Sequence, residues 1–408
     1  MCRGACRRCE IRQNDALSTR HPTLLNLYVH IPFCAAKCRY CGFYSVEPGR
    51  EDVASYARFP ALEARLRPQD FPDAPQTVYF GGGTPSLLGA DGFSELVRSL
   101  RDDAGIVFRY ASEWTVELNP ASVTRDLLRA MRREGVNRLS LGAQSFCDAT
   151  LSRIGRIHNA EAIDTAFALA RDEGFDDVGL DLIANLPGVT DSEWRDTVAK
   201  ALRLKPRHIS VYALIVESDT PFAEAAARGE LGPRLDDDAE MDLLRATAER
   251  IALEGFVRYE ISNYCQPGFF CRHNLAVWHG EDYTGLGPAA SSRNGLVRRT
   301  NASDLAGYEK ALLAGNLPPA SNLESLDAVA DATERFLYGL RLKEGVSPKA
   351  FAKNHAAAAA RVGEWERKLS ALETPGIVER FEGDDGSPSW RLTPRGTEVC
   401  DAVLAELA

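Results

Sequence analysis

The amino-acid sequence predicts an α/β fold: a partial (β/α)6 barrel followed by a C-terminal α+β region resembling a winged helix. Short β-rich runs alternate with amphipathic helical stretches between residues 24 and 262. Strands that alternate with helices form right-handed βαβ units and a parallel sheet. A mostly helical pattern follows, with two short β-rich runs near the C-terminus. We therefore expect a barrel domain at 23–262, a connecting segment at 263–330 and a second domain at 331–408.

The composition is that of an ordinary globular protein, with 45% hydrophobic and 26% charged residues. No apolar run is long enough for a membrane-spanning helix, and the N-terminus lacks the apolar core of a signal peptide. The net charge of −10 opposes a general role in binding nucleic acid, which needs a basic surface. Ten cysteines without a secretory signal indicate the reducing cytoplasm.

The first 22 residues are predicted to form a flexible arm. Cys2, Cys6 and Cys9 have C-x3-C-x2-C spacing, but they follow no strand and five arginines lie among the first twenty residues. Chain termini are commonly disordered unless something holds them. We therefore do not expect this trio to bind a metal.

The first β-rich run, Leu25–Ile31, leads into the same spacing at Cys34, Cys38 and Cys41. Three thiolates on one tight loop can bind a single cofactor. Electron-transfer [4Fe–4S] clusters use four cysteines, so three would leave one iron open to a small molecule. Zinc sites usually need a second pair of ligands, and none follows at zinc-site spacing. A [4Fe–4S] cluster is the favoured interpretation, with a Cys3His zinc site or simple packing as alternatives.

The barrel is predicted from the β-rich and helical segments that follow. The β-rich runs are Thr77–Phe80, Trp114–Leu118, Arg138–Gly142, Asp177–Ile183, His208–Leu214 and Val257–Ile261. The intervening helical stretches include Asp91–Arg101, Thr124–Arg133, Ala160–Asp172, Ser192–Leu204 and Asp238–Leu253. Glycines follow three of these stretches, at Gly135, Gly174 and Gly255, where glycine commonly ends a helix.

Polar residues lie in or directly after four consecutive runs: the loop Gly81–Thr84, then Glu117, Gln144 and Asp181. In a parallel barrel, chemistry occurs at the C-terminal ends of the strands, so these side chains predict a ligand site. The glycines let the backbone approach a ligand and offer N–H groups. The carboxylates can accept hydrogen bonds from ammonium or hydroxyl groups. A carboxylate satisfied within the core is the alternative for any one of them.

The segment Tyr28-x-His30-Ile31-Pro32-Phe33-Cys34-x3-Cys38-x-Tyr40-Cys41 resembles the cluster loop of radical S-adenosylmethionine (SAM) proteins. The resemblance is to the branch that holds oxygen-independent coproporphyrinogen III oxidase and haem chaperones of the HemW type. It implies that the open iron binds SAM and that an electron donor reduces the cluster to cleave SAM. By this resemblance, Tyr40 lies against the adenine and Arg156 pairs with the SAM carboxylate. The implied SAM contacts are Tyr28, Tyr40, Gly82, Gly83, Thr84, Glu117, Gln144, Arg156 and Asp181.

Beyond the predicted barrel, His273, Asn274 and Trp278 match the His-Asn-x-x-Tyr-Trp signature of the haem chaperones. The resemblance implies that His273 binds haem, with Trp278 covering the porphyrin and Asn274 orienting the imidazole. An isolated histidine before a tryptophan is otherwise more often part of a packed aromatic cluster. The sequence departs from the family pattern at three positions: Val277 replaces tyrosine, Ser291 replaces histidine and Asn185 replaces glycine. Without the phenol, haem binding is expected to be weaker or to involve Cys271 or His279.

Two functions follow from the resemblance. The oxidases carry a further cysteine at the position where this chain has Phe43. This difference favours a haem chaperone, which would deliver haem to apo-haemoproteins and make peripheral contact with membrane haem proteins. The alternative is oxidative decarboxylation of coproporphyrinogen III. A cluster protein without SAM is disfavoured by the polar strand ends. In the C-terminal domain, the acidic segment 382–385 opposes DNA binding and suggests a lid or a partner surface.

Overall fold

A computed structural model of the protein describes residues 25–71, 74–383 and 385–408. The predicted arm at 1–22, with its three cysteines, lies outside these residues. Among the helices described, none combines the length and the hydropathy needed to cross a bilayer.

Six parallel strands form the barrel wall. They are β1 (Leu25–Ile31), β2 (Pro75–Gly82), β3 (Glu113–Leu118), β4 (Arg138–Gln144), β5 (Asp177–Ala184) and β6 (His208–Ala213). Each pairs in parallel with the next along the chain, as the alternation of β-rich and helical segments predicts. The predicted partial (β/α)6 barrel is confirmed.

Helices follow the strands on the outside of the sheet. They are α1 (Arg50–Tyr56), α2 (Phe59–Leu66), α3 (Gly89–Asp102), α4 (Arg125–Glu134), α5 (Asp148–Arg153), α6 (Ala160–Asp172), α7 (Asp191–Arg203), α8 (Pro221–Ala227) and α9 (Asp237–Ala252). Gly135 caps α4 with a φ of +107°, a left-handed conformation that explains why glycine stands there. The apolar faces of these helices pack onto the sheet as one continuous core.

The predicted run Val257–Ile261 is wrong in its detail. It contains only the short strand β7 (Val257–Arg258), and β8 (Asn263–Cys265) returns antiparallel to it and to β6. The cause is Glu260, whose carboxylate accepts hydrogen bonds from the Ser262 amide (2.7 Å) and the Asn263 side chain (2.6 Å). These bonds stabilise a tight turn where the pattern alone suggested a continuous strand.

The segment predicted as a connection adds further strands to the same sheet. It contains α10 (Arg272–Trp278), β9 (Tyr283–Leu286), β10 (Ser291–Asn294), β11 (Val297–Asn301), α11 (Leu305–Leu313) and β12 (Ala320–Ser325). β9 pairs in parallel with β1, and β10, β11 and β12 continue outward in antiparallel pairs. β9 therefore lies beside β1, and α10 packs against β2.

The C-terminal region has its own hydrophobic core, in which Phe336 stacks on Trp365 at a centroid distance of 3.9 Å. Its elements are α12 (Ala328–Gly339), α13 (Pro348–Asn354), α14 (Val362–Glu373), β13 (Val378–Glu382), β14 (Pro388–Leu392), α15 (Pro394–Glu398) and α16 (Cys400–Leu407). The alanine run forms a 3-10 helix at Ala356–Arg361. β13 and β14 pair antiparallel as the predicted two-stranded wing.

Candidate functional site

The cysteine loop is held closed over the end of β1. The Cys34 amide donates to the Val46 carbonyl (3.0 Å), and the Val46 amide donates to the Pro32 carbonyl (2.7 Å). Farther along the loop, the Arg39 amide donates to the Ile154 carbonyl at 3.0 Å, which ties the loop to the end of α5. These backbone bonds bring the three thiols to one face.

A narrow cleft of about 60 Å³ lies against these thiols. We call it the cysteine cleft and define it by Cys34, Cys38, Cys41, Thr84 and Arg156. The Thr84 hydroxyl lies 3.4 Å from the Cys34 sulfur, and Arg156 Nη1 donates to the Cys38 sulfur at 3.5 Å. Burial raises the pKa of the Cys41 thiol. The cleft therefore holds three potential thiolate ligands, and one of them, Cys38, accepts a hydrogen bond from the Arg156 guanidinium.

The glycine loop is bonded to the cysteine loop. The Gly83 amide donates to the Ile31 carbonyl (2.8 Å), and the Thr84 amide donates to the Phe33 carbonyl (2.6 Å). A Cβ at Gly83 would lie 2.6 Å from the Phe33 carbonyl oxygen, which is closer than real Cβ contacts allow. The Gly82 amide donates to Glu117 at 3.2 Å. These N–H groups serve the fold, contrary to the expectation that they would donate to a ligand.

Glu117 and Asp181 are half-buried on strands β3 and β5 of the barrel. Glu117 accepts hydrogen bonds from the Tyr79 hydroxyl at 2.7 Å and from the Gly82 amide. Burial raises the pKa of Glu117 to about 7. Asp181 accepts from the Ser140 hydroxyl at 2.9 Å, and burial also raises the pKa of its carboxyl. Both carboxyls are thus poised to gain from a cationic ligand, which would favour their ionised forms.

Arg156 connects the cysteine cleft to the end of β4. Its Nη2 donates to the Gly142 carbonyl at 2.7 Å, whereas its Nε is buried without a partner among the described residues. Gln144 adopts a φ of +64°, and its amide nitrogen lies beside Gly142, as does the guanidinium. Tyr40 lines the same cleft. A buried N–H without an acceptor is rare in native proteins, so this side of Arg156 suits an anionic ligand.

Tyr28 and His30 are two residues apart on β1, so their side chains lie on the same side of the strand, where they are hydrogen-bonded to each other. His30 Nε2 lies 2.9 Å from the Tyr44 carbonyl, so it carries the proton and donates. His30 Nδ1 then accepts from the Tyr28 hydroxyl at 3.1 Å. Burial lowers the pKa of His30 to about 4, so its ring is neutral near pH 7. Both ring nitrogens of His30 are therefore hydrogen-bonded within the fold.

A larger cavity of about 580 Å³ opens on the other side of the cysteine loop. We call it the aromatic cavity and define it by Tyr28, Tyr44, His273, Tyr283 and Ser291. The other lining residues include His30, Lys37, Phe43 and Val277. The predicted haem ligand and two of the positions where the chain departs from the family pattern therefore lie around one space.

His273 is held in place from two directions. Its backbone amide donates to Glu113 at 3.0 Å, and its Nδ1 lies 2.8 Å from the Thr77 hydroxyl. Its ring packs on Tyr79 at a centroid distance of 5.1 Å. Burial lowers the pKa of His273 to about 3. The imidazole is therefore neutral, and its Nε2 has no hydrogen bond among the described residues.

Three expectations about neighbouring residues are wrong. Trp278 faces the C-terminal domain, where it packs on Tyr338 (5.9 Å) and under Arg341 (4.5 Å), because α10 turns it away from the cavity. Cys271 is buried and donates to Glu113. His279 pairs with Glu344 at 2.6 Å. None of these three side chains lines the aromatic cavity. A fourth expectation, for Asn274, is also wrong, because the Thr77 hydroxyl is the group hydrogen-bonded to the His273 ring.

Several lining residues were missed from the sequence. His30 could have been found, since the two-residue period of β1 places it on the same side as Tyr28. Lys37 lies within the cysteine motif and lines both the cleft and the cavity. Tyr283 carries no sequence signal, because only the pairing of β9 with β1 brings it to the cavity. Tyr44 follows the cysteine motif, and its carbonyl is held by His30 Nε2.

The chain is similar to known proteins over most of its length. Residues 28–201 match the family model of the radical SAM superfamily. The haem chaperone HemW of Mycobacterium tuberculosis (strain ATCC 25618 / H37Rv) is 36% identical over 392 residues, covering 93% of this chain and 94% of the relative. HemW of Bacillus subtilis (strain 168) is 33% identical, covering 93% and 99%. The structure of Escherichia coli coproporphyrinogen III oxidase (HemN), a radical SAM enzyme, superposes with a TM-score of 0.78 at 22% identity, covering 95% of this chain and 91% of that one. This last likeness concerns the fold.

Proposed function

This chain belongs to the HemW family of the radical SAM superfamily, and on that premise we propose that it is a haem chaperone. It holds a [4Fe–4S] cluster and SAM at the cysteine cleft and the barrel mouth, and it carries haem in the aromatic cavity for delivery to apo-haemoproteins. The observation that carries the proposal is the position of His273, a neutral imidazole with a free Nε2 on the wall of that cavity.

The donor set of the cysteine cleft fits an iron–sulfur cluster. Within the described ranges, no three His, Cys, Asp or Glu side chains lie close enough together to hold a single metal ion. A cluster of four irons is wider than one ion, so three thiols on an open loop suit it better than they suit zinc. Arg156 donates a hydrogen bond to the Cys38 sulfur from the wall of the cleft. When bound, such a cluster supplies the electron that cleaves SAM.

The residues around the barrel mouth fit SAM. Arg156 offers its unpartnered Nε to a carboxylate, for which the planar guanidinium is well suited. Glu117 and Asp181 can accept hydrogen bonds from the ammonium or ribose hydroxyl groups. Gln144 lies beside the guanidinium, and Tyr40 supplies an aromatic face on the cleft wall. Tyr28, Gly82, Gly83 and Thr84 complete the proposed SAM contacts.

The aromatic cavity fits a flat conjugated ligand. Its volume of about 580 Å³ lies within the range of small-molecule and cofactor pockets. Rings of Tyr28, Tyr44 and Tyr283 can pack on a porphyrin face, as aromatic side chains do on other conjugated systems. The Thr77 hydroxyl bonded to Nδ1 orients the imidazole, as groups behind a metal-binding histidine do.

Decarboxylation of coproporphyrinogen is not part of the proposal. Phe43 stands where the oxidases carry a further cysteine, and its side chain lines the aromatic cavity with 70% of its surface exposed. A phenyl ring contributes neither a thiol nor a proton donor to that space. We propose that haem itself is the cargo and that the protein works in a reducing compartment such as the cytoplasm. A separate protein donates electrons to the cluster, and the chaperone makes peripheral contact with membrane haem proteins.

The test begins with anaerobic reconstitution of the full chain. Ferric haem is titrated in and followed by its Soret band, and transfer to apomyoglobin and conversion of coproporphyrinogen are measured on the same sample. We expect saturable haem binding, transfer to apomyoglobin and no decarboxylated product. His273→Ala should weaken binding at least tenfold, whereas the control His279→Ala should not, since that side chain lies outside the cavity. Decarboxylated product at many turnovers per cluster would overturn the chaperone assignment.

A further inference from the structure

We infer that Asn26 and Glu281 are positioning residues for haem, which act through a directed chain of hydrogen bonds on His273. The chain holds the proton of the neutral imidazole on Nδ1 and leaves the lone pair on Nε2. Neither Asn26 nor Glu281 lines the aromatic cavity, so both act at a distance from the cargo. The inference rests on the proposed function and deepens it, because it identifies the residues that prepare the haem ligand.

The orientation of the Asn26 side-chain amide is set by two acceptors. Asn26 is buried on β1, and its Nδ2 donates to the Glu281 carboxylate (3.0 Å) and to the Asp282 carbonyl (3.0 Å). A carboxylate and a carbonyl accept hydrogen bonds and do not donate them. An amide turned the other way would place Oδ1 against two acceptors. Oδ1 therefore points to the opposite side, where Thr77 lies.

The loop between α10 and β9 holds these two acceptors in place. Arg335 Nη2 donates to one carboxylate oxygen of Asp282 at 3.0 Å, and the Gly295 amide donates to the other at 2.8 Å. The Glu281 amide donates to the Ala276 carbonyl at 2.9 Å, which ties this residue to α10. The acceptor end of the chain is thus fixed by the fold.

The Thr77 hydroxyl transmits the orientation of the amide to His273. It has one proton, which it donates to Asn26 Oδ1 at 2.8 Å. Its oxygen also lies 2.8 Å from His273 Nδ1, and it can only accept there because its proton is already used. Nδ1 therefore carries a proton and donates it. A neutral imidazole has one N–H group, so Nε2 carries the lone pair.

The chain is shielded from water, which strengthens its direction. Asn26 is 1% exposed, Thr77 3% and His273 6%. Hydrogen bonds in such surroundings are stronger than in water, and a buried polar group that loses its partner is costly. Reversal of the chain would turn the Asn26 amide against its own acceptors. The fold therefore selects the tautomer of His273.

The tautomer matters because a nitrogen must be unprotonated to bind a metal. The bond from Nε2 to haem iron forms from a lone pair already present, so no proton leaves the ring and the oxidation state of the iron does not change. Nδ1–H then donates into a chain that ends on the Glu281 carboxylate, and such a partner raises the basicity of a metal-binding histidine. A more basic ligand favours ferric iron. The chain should therefore tighten ferric haem binding and lower the reduction potential of the bound haem.

The experiment uses the reconstituted full chain with ferric haem. Affinity is measured from the Soret band, and a spectroelectrochemical titration of the same band gives the reduction potential of the haem separately from that of the cluster. Asn26→Leu removes the acceptor of the Thr77 proton, so that this hydroxyl can donate to Nδ1 and favour the other tautomer. This variant should bind ferric haem about two- to tenfold more weakly, the range for one hydrogen bond.

Glu281→Gln separates the charge from the hydrogen bond. Glutamine keeps an acceptor for Asn26 but carries no charge, so the potential should rise with a smaller loss of affinity than in Asn26→Leu. Thr77→Ser is the conservative variant: it keeps the hydroxyl and should retain the parental potential. Glu344→Gln is the control for a lost negative charge, because that carboxylate is bonded to His279 at 2.6 Å rather than to Asn26.

A parental potential in Glu281→Gln, or an equal rise in Glu344→Gln, would overturn the inference and leave haem carriage intact. Glu281 is half-buried and glutamine has its shape, so this outcome does not depend on the folding of Asn26→Leu. A parent protein that binds no haem would instead overturn the proposed function, on which the inference rests.

Discussion

The cysteine cleft and the aromatic cavity lie on either side of one loop and are built in opposite ways. The cleft is narrow, about 60 Å³, and its polar groups bond to one another. The cavity is roughly ten times larger, about 580 Å³. The polar atoms of Tyr28, His30 and Tyr44 in its wall are hydrogen-bonded within the fold, whereas His273 Nε2 has no hydrogen bond among the described residues. The difference separates two tasks: a cleft that fixes a reactive group in one position, and a cavity that holds a large cargo through few bonds.

Removing the cluster ligands gives the largest expected effect. The triple variant Cys34→Ala, Cys38→Ala, Cys41→Ala should contain almost no iron after reconstitution, whereas the parent should hold about four irons per chain. Deletion of residues 1–20 should leave the iron content unchanged. Cys147→Ala is a control within the barrel, because that thiol bonds to Glu193 and lies outside the cleft.

If the two regions are separate, the triple variant should still bind haem. Iron retained in the triple variant and lost in the deletion would assign the cluster to the N-terminal cysteines. Loss of haem binding together with the cluster, in a folded protein, would show that the cavity depends on the cleft.

Loss of the Arg156 charge should weaken SAM binding by ~1.5–3 kcal/mol, the range for hydrogen bonds to charged groups. The measurement is equilibrium binding of SAM to the anaerobic protein, with iron content as the check that the cluster is intact. Arg129→Ala is the matched control, since Arg129 is an exposed partner of Glu173 at 3.0 Å. Parental SAM affinity in Arg156→Ala would contradict the proposed mouth.

SAM affinity should rise by about tenfold between pH 6 and pH 8, because the ionised fraction of a carboxyl with a pKa of about 7 rises from about one tenth to about nine tenths over this range. The group responsible is Glu117, whose pKa burial raises to about 7. The positively charged sulfonium and ammonium groups of SAM favour the ionised form of this carboxyl. Glu117→Gln should flatten this dependence. For folding the sign is opposite: this carboxyl stabilises the folded state at low pH, and that contribution is lost as the pH rises from 4.5 through about 7.

The smallest effect is expected in the cavity. Thr77→Val removes the hydroxyl bonded to His273 Nδ1 and should weaken haem binding by ~0.5–1.5 kcal/mol, the net value of one hydrogen bond. SAM affinity and iron content should not change. Thr247→Val is the control, since this buried hydroxyl on α9 accepts a hydrogen bond from Trp194 at 2.8 Å and lies outside the cavity. Equal haem affinities for Thr77→Val and the parent would mean that packing on Tyr79 alone orients the imidazole.

Much of the barrel and the cysteine motif could be predicted, because both depend on short-range pattern. Strands β1 to β6 lie between amphipathic helices, and the thiols have a fixed spacing after a strand. Strand β12 could not be predicted, since its six residues are all exposed and show no alternation of apolar and polar side chains. His273, Val277 and Ser291, which the sequence analysis singles out, all line the aromatic cavity. The orientation of Trp278 could not be predicted, because it depends on how α10 packs against the C-terminal region.

The phenol of Tyr79 donates to Glu117, and its ring packs on His273. One side chain is thus a neighbour of both a proposed SAM contact and the proposed haem ligand. Substitutions at Glu117 and His273 are then not energetically independent, since each changes what the same ring rests against. The combined effect of the two substitutions on the binding free energy of SAM or haem should depart from the sum of the single effects. A double-mutant cycle repeated in a Tyr79→Phe background would measure how much of that departure depends on the Tyr79 hydroxyl.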